Sequence, residues 1–286
     1  MSIEDIILDR DRRGISALRP HLPDDFCGQA AELILQNPGT AIIVTGFYIL
    51  AAEAAETDGP PGAILIGNAL QSIGYQVVYV TDRYTAPLMS GVAGSDARVV
   101  DFPITGDTES RSFAGSLLTE LNPSVIISIE RCGLTSEGLY RNMHGQDISP
   151  YNAKVDYLFD DPIPSVGIGD GGNEIGMGNL ASIIPTIPSL VKIPCVTQTT
   201  RLITSSVSNW GGYGLVAALS ERRGENLLPS VEADQDLIKR TVDQGAVDGM
   251  SNKPEYKVDG FTLEENSQTL IQLHQYLEER GVPASG

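Results

Sequence analysis

Ala41-Ile42-Ile43-Val44-Thr45-Gly46 carries β-branched residues at four consecutive positions and no polar group before Thr45. A strand with one wet face alternates apolar and polar residues. An unbroken run is instead the mark of a strand buried on both faces of a parallel sheet. Comparable runs recur at Gln76–Thr81, Arg98–Phe102, Ser124–Ile129, Ser165–Ile168 and Cys195–Thr199. Helical patterns alternate with them at Pro60–Ile73, Ser112–Leu121 and Gly178–Ile184, and Gly212–Arg223 follows the last run. The alternation predicts an α/β fold: a three-layer open, mostly parallel sheet with helices on both faces and right-handed crossovers. Glu232–Gln244 and Leu263–Arg280 read as two more helices. The second is introduced by the turn Asp259-Gly260 and by Thr262 and Glu265 at capping-box spacing. Residues 1–286 read as a single α/β domain. Within it, 1–40 is an N-terminal lead-in with a helix at Phe26–Gln36, and 230–286 is a helical C-terminal cover.

Composition narrows the function. Asp and Glu total 37 against 19 Lys and Arg, a formal charge of −18. That balance argues against nucleic acid or an anionic membrane surface as partner, because both demand clustered cations. The basic residues gather only at Arg10, Arg12 and Arg13. No apolar stretch reaches the roughly 20 residues that span a bilayer, and the first residues lack the basic-then-apolar pattern of a secretory signal. Three cysteines (Cys27, Cys132, Cys195), far apart and odd in number, fit a reducing compartment. The three histidines (His21, His144, His274) are scattered and no CxxC or HExxH occurs, so a His/Cys zinc site is not expected. The chain reads as a cytoplasmic protein acting on a small molecule; a homo-oligomer stays open.

Open parallel sheets bind ligands beyond the carboxyl ends of their strands. After the first run come Thr45 and Gly46, then Thr57-Asp58-Gly59-Pro60-Pro61-Gly62-Ala63 leading into a helix. Asp58 or Gly59 suits the N-cap and the prolines suit the first turn, which makes this terminus an expected anion seat. After the fourth run Glu130 and Arg131 bring opposite charges to a buried strand end, which is costly unless they pair or meet a ligand. Cys132 reads as a small buried hydrophobe; Asn142 and His144 fall in a polar loop. After the fifth run stands Gly167-Ile168-Gly169-Asp170-Gly171-Gly172-Asn173-Glu174-Ile175-Gly176-Met177-Gly178-Asn179, with glycine at six of the positions 167–178. Gly167, Gly169 and Gly172 match the dinucleotide fingerprint literally. However, the loop follows the fifth strand, not the first, and Asp170 and Glu174 would repel a diphosphate, so neither NAD nor flavin is expected. Asp170, Asn173 and Glu174 suit an ammonium group, a general base or a hard divalent ion; a Gly-rich turn with helix caps is the bland alternative. Thr199 and Thr200, after the sixth run, offer hydroxyls.

On the strings at 167–179 and 57–63, read with Asp259-Gly260, the sequence resembles the D-glutamate cyclase family over about Arg10 to Arg280. The resemblance implies an α/β fold and a lyase (hydro-lyase) that converts D-glutamate to 5-oxo-D-proline. The chemistry of lactam formation then suggests roles. Asp170 or Glu174 is the base and Glu130 its acid/base partner, because neighbouring carboxylates push their pKa values apart. The helix start at Asp58, Gly59 and Gly62 takes the α-carboxylate. Arg131 neutralises the γ-carboxylate, and Thr45, Gly46, Thr57, Asn142, Gly171, Gly172, Asn173, Thr199 and Thr200 line the substrate site. Either no cofactor is required, or Mg²⁺ or Mn²⁺ sits on Asp170 and Glu174. A non-catalytic binder of an amino acid or nucleotide, and a nucleotide-dependent enzyme using the Gly-rich loop, are the competing readings.

Overall fold

The computed structural model describes residues 1–282. Its main sheet has six parallel strands: β1 (Thr40–Thr45), β2 (Gln76–Thr81), β3 (Arg98–Asp101), β4 (Val125–Ile129), β5 (Ser165–Gly169) and β6 (Arg201–Thr204), ordered β3-β2-β1-β4-β5-β6. Register runs Ala41↔Val77 on one side of β1 and Ala41↔Val125 on the other. The order reverses between β1 and β4, and a crevice opens there at the carboxyl ends.

Alternate residues of each strand serve opposite layers. Ile42, Val44, Val78, Val80 and Ile126 pack beneath α5 (Asp107–Leu121), against Ala114, Leu117 and Leu118. Ile43, Tyr79, Ile127, Ile129, Val166 and Ile203 face α2 (Phe26–Leu35), α3 (Pro60–Ser72) and α6 (Ser208–Arg223). The fold is therefore the expected three-layer α/β arrangement. Outside α6 lie α1 (Ile3–Ile7) and α8 (Leu263–Glu278); α7 (Val231–Asp243) packs on α8, on α3 and on α4 (Ala86–Val92). The capping box at α8 forms, with Thr262 Oγ1 accepting from Glu265 N and Glu265 Oε2 accepting from Thr262 N. Among the described residues, no helix is long and apolar enough to cross a membrane.

Two sequence expectations fail. Cys195–Thr199 is not a strand; its Val196 is 41% exposed, whereas Leu202 and Ile203 in β6 are 3% and 0% exposed and pair with β5. Gly178–Ile184 is not an α-helix but two 3-10 turns, Met177–Leu180 and Ile184–Thr186. The Gly176 and Gly178 N–H groups bond Thr197 O at 2.9 and 3.2 Å, tying this segment to its neighbour, and Pro185 interrupts the remainder. Helix α4 had no clear sequence signal, and α5 begins earlier than expected, at Asp107.

Candidate functional site

Carboxylates converge on the crevice where the strand order reverses. Glu130 follows β4 directly and Asp170 follows β5. Asp58 precedes α3 and Glu174 closes the Gly-rich loop. Asp259 arrives from a short hairpin, Lys257–Val258 paired with Phe261–Thr262. Its two-residue turn has φ 53° at Asp259 and 75° at Gly260, the left-handed pair that Asp-Gly favours. Ligand-type oxygens of Asp58, Asp170 and Asp259 lie within 4.8 Å of one another, as do those of Glu130, Asp170 and Glu174. Two unit charges so spaced repel by about 3 kcal/mol at an effective dielectric of about 20.

The protein answers this repulsion unevenly. Glu174 accepts backbone N–H bonds from Asp170 (3.3 Å), Gly171 (2.8 Å) and Gly172 (2.8 Å). Asp58 accepts from Gly59 N, Ser208 N and Asn209 N at 3.0, 2.8 and 2.7 Å. Glu130 accepts from Ser208 Oγ at 2.5 Å. Asp170 and Asp259 share one guanidinium, Arg13, at 2.9 Å for Asp259 and closer for Asp170. Burial opposes the Arg13 charge, but Asp170 and Asp259 outweigh it and hold the group protonated. Burial also raises Asp170 to about 6, against the pull of Arg13, and Asp259 to about 7. Glu56, Asp58 and Glu130 are pushed well above the usual carboxylate range, by burial first and then by their acidic neighbours.

A cavity of about 280 Å³ opens onto this cluster, with Arg13, Glu56, Glu130, Asp170 and Asn173 on its polar wall and Phe47, Tyr48, Leu50 and Met143 among its apolar lining. A larger hollow of about 570 Å³ lies between α3, α4 and α7, away from the strand ends, and lacks such convergence. In the acidic cavity Asn173 donates to Arg141 O at 3.1 Å and its buried Oδ1 has no partner among the described residues; the Thr45 hydroxyl, also buried without a partner among them, is not part of the cavity lining.

Glu130 has φ 44°, a conformation a buried carboxylate adopts only under constraint. Such strain costs about 1–3 kcal/mol and collects at functional sites. Gly59 (φ 97°) permits it: a Cβ there would stand 2.8 Å from both Glu130 Cβ and Thr45 Oγ1.

Several expected substrate contacts are engaged elsewhere. Arg131 is 1% exposed; its guanidinium pairs with Asp82 at 2.7 Å and donates to Gly46 O and Ala153 O at 3.0 Å each. It clamps the loop after β1 and is not on the cavity wall. The anion seat at α3 is closed, because Asn209 Oδ1 accepts from Gly59 N (3.0 Å) and Gly62 N (2.9 Å). Thr57 donates its hydroxyl to Lys257 O at 2.8 Å. Thr199 and Thr200 precede β6 instead of following a strand: Thr199 Oγ1 donates to Arg201 O, and Thr200 Oγ1 accepts from Ser165 N at the opposite end of β5. Asn142 lines the cavity but folds on itself, Oδ1 accepting from His144 N and Gln146 N. Cys132 is buried with its thiol pKa raised, by burial first. Conversely, Arg13, Glu56, Asp259, Ser208 and Asn209 enter the site without having been read as site residues. Arg13 stood in the one cluster of basic residues, and Asp259 in a turn that explained it locally.

Residues 3–274 match the sequence profile of the family described as D-glutamate cyclase-like, C-terminal. The chain is 25% identical over 284 residues to the mitochondrial D-glutamate cyclase of Homo sapiens, covering 85% of this chain and 46% of that protein. It thus spans about half the length of that relative. An exopolyphosphatase-related protein from Bacteroides fragilis superposes with a TM-score of 0.39 at 11% identity, over 91% of this chain and 58% of that one, too distant to inform the site.

Proposed function

Because the chain belongs to the D-glutamate cyclase-like, C-terminal family, we propose that it is a hydro-lyase closing D-glutamate to 5-oxo-D-proline and water in the acidic cavity. The observation carrying this reading is the meeting of Glu56, Glu130, Asp170 and one cation, Arg13, on a hollow the size of a small amino acid.

Cyclisation is redox-neutral. The α-ammonium loses two protons, its nitrogen bonds the γ-carboxyl carbon, and one γ-oxygen departs with two protons as water. Freeing an amine of pKa near 10 at neutral pH costs about 4 kcal/mol, so a carboxylate beside the ammonium is required. Glu130 fills that role: it faces the cavity, and Ser208 Oγ orients it. Glu56, on the same wall, holds the ammonium with the unpartnered Asn173 Oδ1. Arg13 neutralises the γ-carboxylate and steadies the oxyanion that forms on it. Glu130, once protonated, hands a proton to the leaving oxygen. Asp170 positions Arg13, and Glu174, held by three amides, shapes the loop.

The test is incubation of the full chain with D- or L-glutamate and chiral chromatography of any 5-oxoproline. The D-isomer is expected to react, and Glu130→Gln to lose at least about 100-fold in kcat with its melting temperature retained. A folded wild type that makes no product, or a fully active Glu130→Gln, refutes the reading.

A further inference from the structure

We propose that the imidazole of His144 receives the α-carboxylate of the substrate at the mouth of the acidic cavity, and that this contact favours D-glutamate over its mirror image. The inference rests on the cyclase reading and supplies the one substrate group that reading leaves without a partner.

Lactam closure sorts the substrate's groups. The nitrogen, Cα, Cβ, Cγ and the γ-carboxyl carbon become ring atoms, so they gather where Glu130, Glu56, Asn173 and Arg13 meet. The α-carboxylate stays outside the ring and takes no part in bond making. Buried carboxylates repel it, so it has to point away from them. Neither of the seats first expected for carboxylates can take it: Arg131 is locked to Asp82, and Asn209 fills the start of α3.

Exposure gives the cavity a direction. Glu56, Glu130, Asp170 and Asn173 are buried and form its floor, whereas His144, Gln146 and Asn252 are exposed and form its rim. Of the residues lining it, Arg13 and His144 are the two that can carry positive charge. Arg13 is shared by Asp170 and Asp259 and is assigned to the γ-carboxylate. The His144 ring has no partner among the described residues; the residue's hydrogen bond to Asn142 Oδ1, at 3.0 Å, is made by its backbone N–H. Neutral or protonated, an imidazole offers at least one N–H to a carboxylate.

The turn that carries His144 is tied to the cavity floor. Asn142 Oδ1 also accepts from Gln146 N at 3.0 Å, Gly145 N returns to Asn142 O at 2.9 Å, and Asn142 N donates to Gln146 O at 3.1 Å. The preceding residue, Arg141, accepts Asn173 Nδ2 on its carbonyl at 3.1 Å. Asn173 is the residue whose bare Oδ1 faces the ammonium in the cyclase reading. Ammonium and α-carboxylate share Cα, so the bond between Asn173 and the His144 turn holds two neighbouring subsites in fixed relation. With the ring atoms held on the floor, the two isomers differ only in which side of Cα bears the carboxylate. The D isomer directs it to His144; the L isomer, on the same floor contacts, directs it elsewhere.

The test compares D-glutamate, L-glutamate and 4-aminobutyrate on the full chain. The last has the ammonium and the reacting carboxylate but no α-carboxylate. Steady-state turnover gives KM and kcat, and titration calorimetry gives affinity whether or not turnover occurs. Wild type is expected to bind D-glutamate about tenfold or more tightly than 4-aminobutyrate, the worth of one charge-assisted contact. His144→Ala should raise KM for D-glutamate by about that factor, change kcat less, and lose most of the preference for D over L. Its affinity for 4-aminobutyrate should match wild type, and His144→Lys should recover part of the affinity for D-glutamate. Unchanged KM and affinity for D-glutamate in His144→Ala, or an equal loss for D-glutamate and 4-aminobutyrate, overturns the assignment; a retained D preference overturns its stereochemical part. No 5-oxoproline from wild type, with the His144-dependent difference in affinity still present, removes the cyclase reading and leaves the contact. Product formed with the same KM by both proteins does the reverse, and a wild type that binds none of the three overturns both.

Discussion

Arg131 separates a substrate anchor from a structural clamp. Replacing it by Met removes a guanidinium that pairs with Asp82 at 2.7 Å and caps two carbonyls, Gly46 O and Ala153 O, at 3.0 Å each. Both partners of the ion pair are at least 98% buried, Arg131 at 1% and Asp82 at 2% exposure. Removing one member leaves the other as an uncompensated buried charge, at about 3–5 kcal/mol. Each abandoned carbonyl adds up to about 1–3 kcal/mol before relaxation. Against a total stability of about 5–15 kcal/mol, a net loss of about 4 kcal/mol would be plain in urea-induced unfolding. The decisive measurement is a double-mutant cycle with Asp82→Asn. Because the two groups touch, the pair should be non-additive by about 2–3 kcal/mol, the double variant being less unstable than the sum of singles predicts. A substrate anchor would behave otherwise: near-native stability, additive with Asp82→Asn, and a KM for D-glutamate raised tenfold or more. Observing that second pattern would refute the clamp.

Two further outcomes follow from the same geometry. Gly59→Ala forces a Cβ to within 2.8 Å of Glu130 Cβ and adds strain at φ 97°, so it should destabilise by about 2 kcal/mol or more and depress turnover; native activity in a folded Gly59→Ala protein would contradict the packing. Asp234 accepts from Tyr213 Oη (2.6 Å) and Asn266 Nδ2 (3.1 Å), and burial raises its pKa from 3.8 to about 6. Between those values the folded state keeps a proton the unfolded chain has lost, so the stability contribution falls as pH rises and levels off above about 6. The span corresponds to about 3 kcal/mol. Urea unfolding of Asp234→Asn and wild type from pH 4 to 7.5 should therefore show the variant gaining relative stability by about that amount; a pH-independent difference would remove the assignment.

How much of this was legible in the sequence depends on whether the causes were local. The runs at 41–45, 76–81 and 124–129 announced central strands because both faces of each are covered, which leaves no polar positions to blur the pattern. Strand β6 escaped because it is four residues long and begins and ends on polar residues, Arg201 and Thr204, while the neighbouring Cys195–Thr199 has the β-branched composition without the burial. The same division runs through the site. Glu130 and Asp170 were found because strand ends and glycine density are local signals. Arg13 and Asp259 were not, because each docks from a segment whose nearby residues explain it already: an Asp11-capped turn for one, an Asp-Gly hairpin for the other.

That masking has a physical reason. Among the described residues six non-glycine positions hold positive φ, and two of them, Glu130 and Asp259, are cluster carboxylates. At Asp259 the hairpin favours the left-handed backbone, so turn chemistry and the cluster ask for the same conformation. At Glu130 nothing local favours it, and the conformation is held by tertiary contacts: Ile168 O receives its N–H at 3.2 Å, Ser208 holds its carboxylate, and Gly59 withdraws the atom that would collide with it. A residue whose backbone and protonation are both imposed from outside cannot relax into a cheaper arrangement without disturbing β1, α3 and α6 together. The strain therefore marks Glu130, more than the better-satisfied Glu174, as the carboxylate the fold is built to present to the cavity.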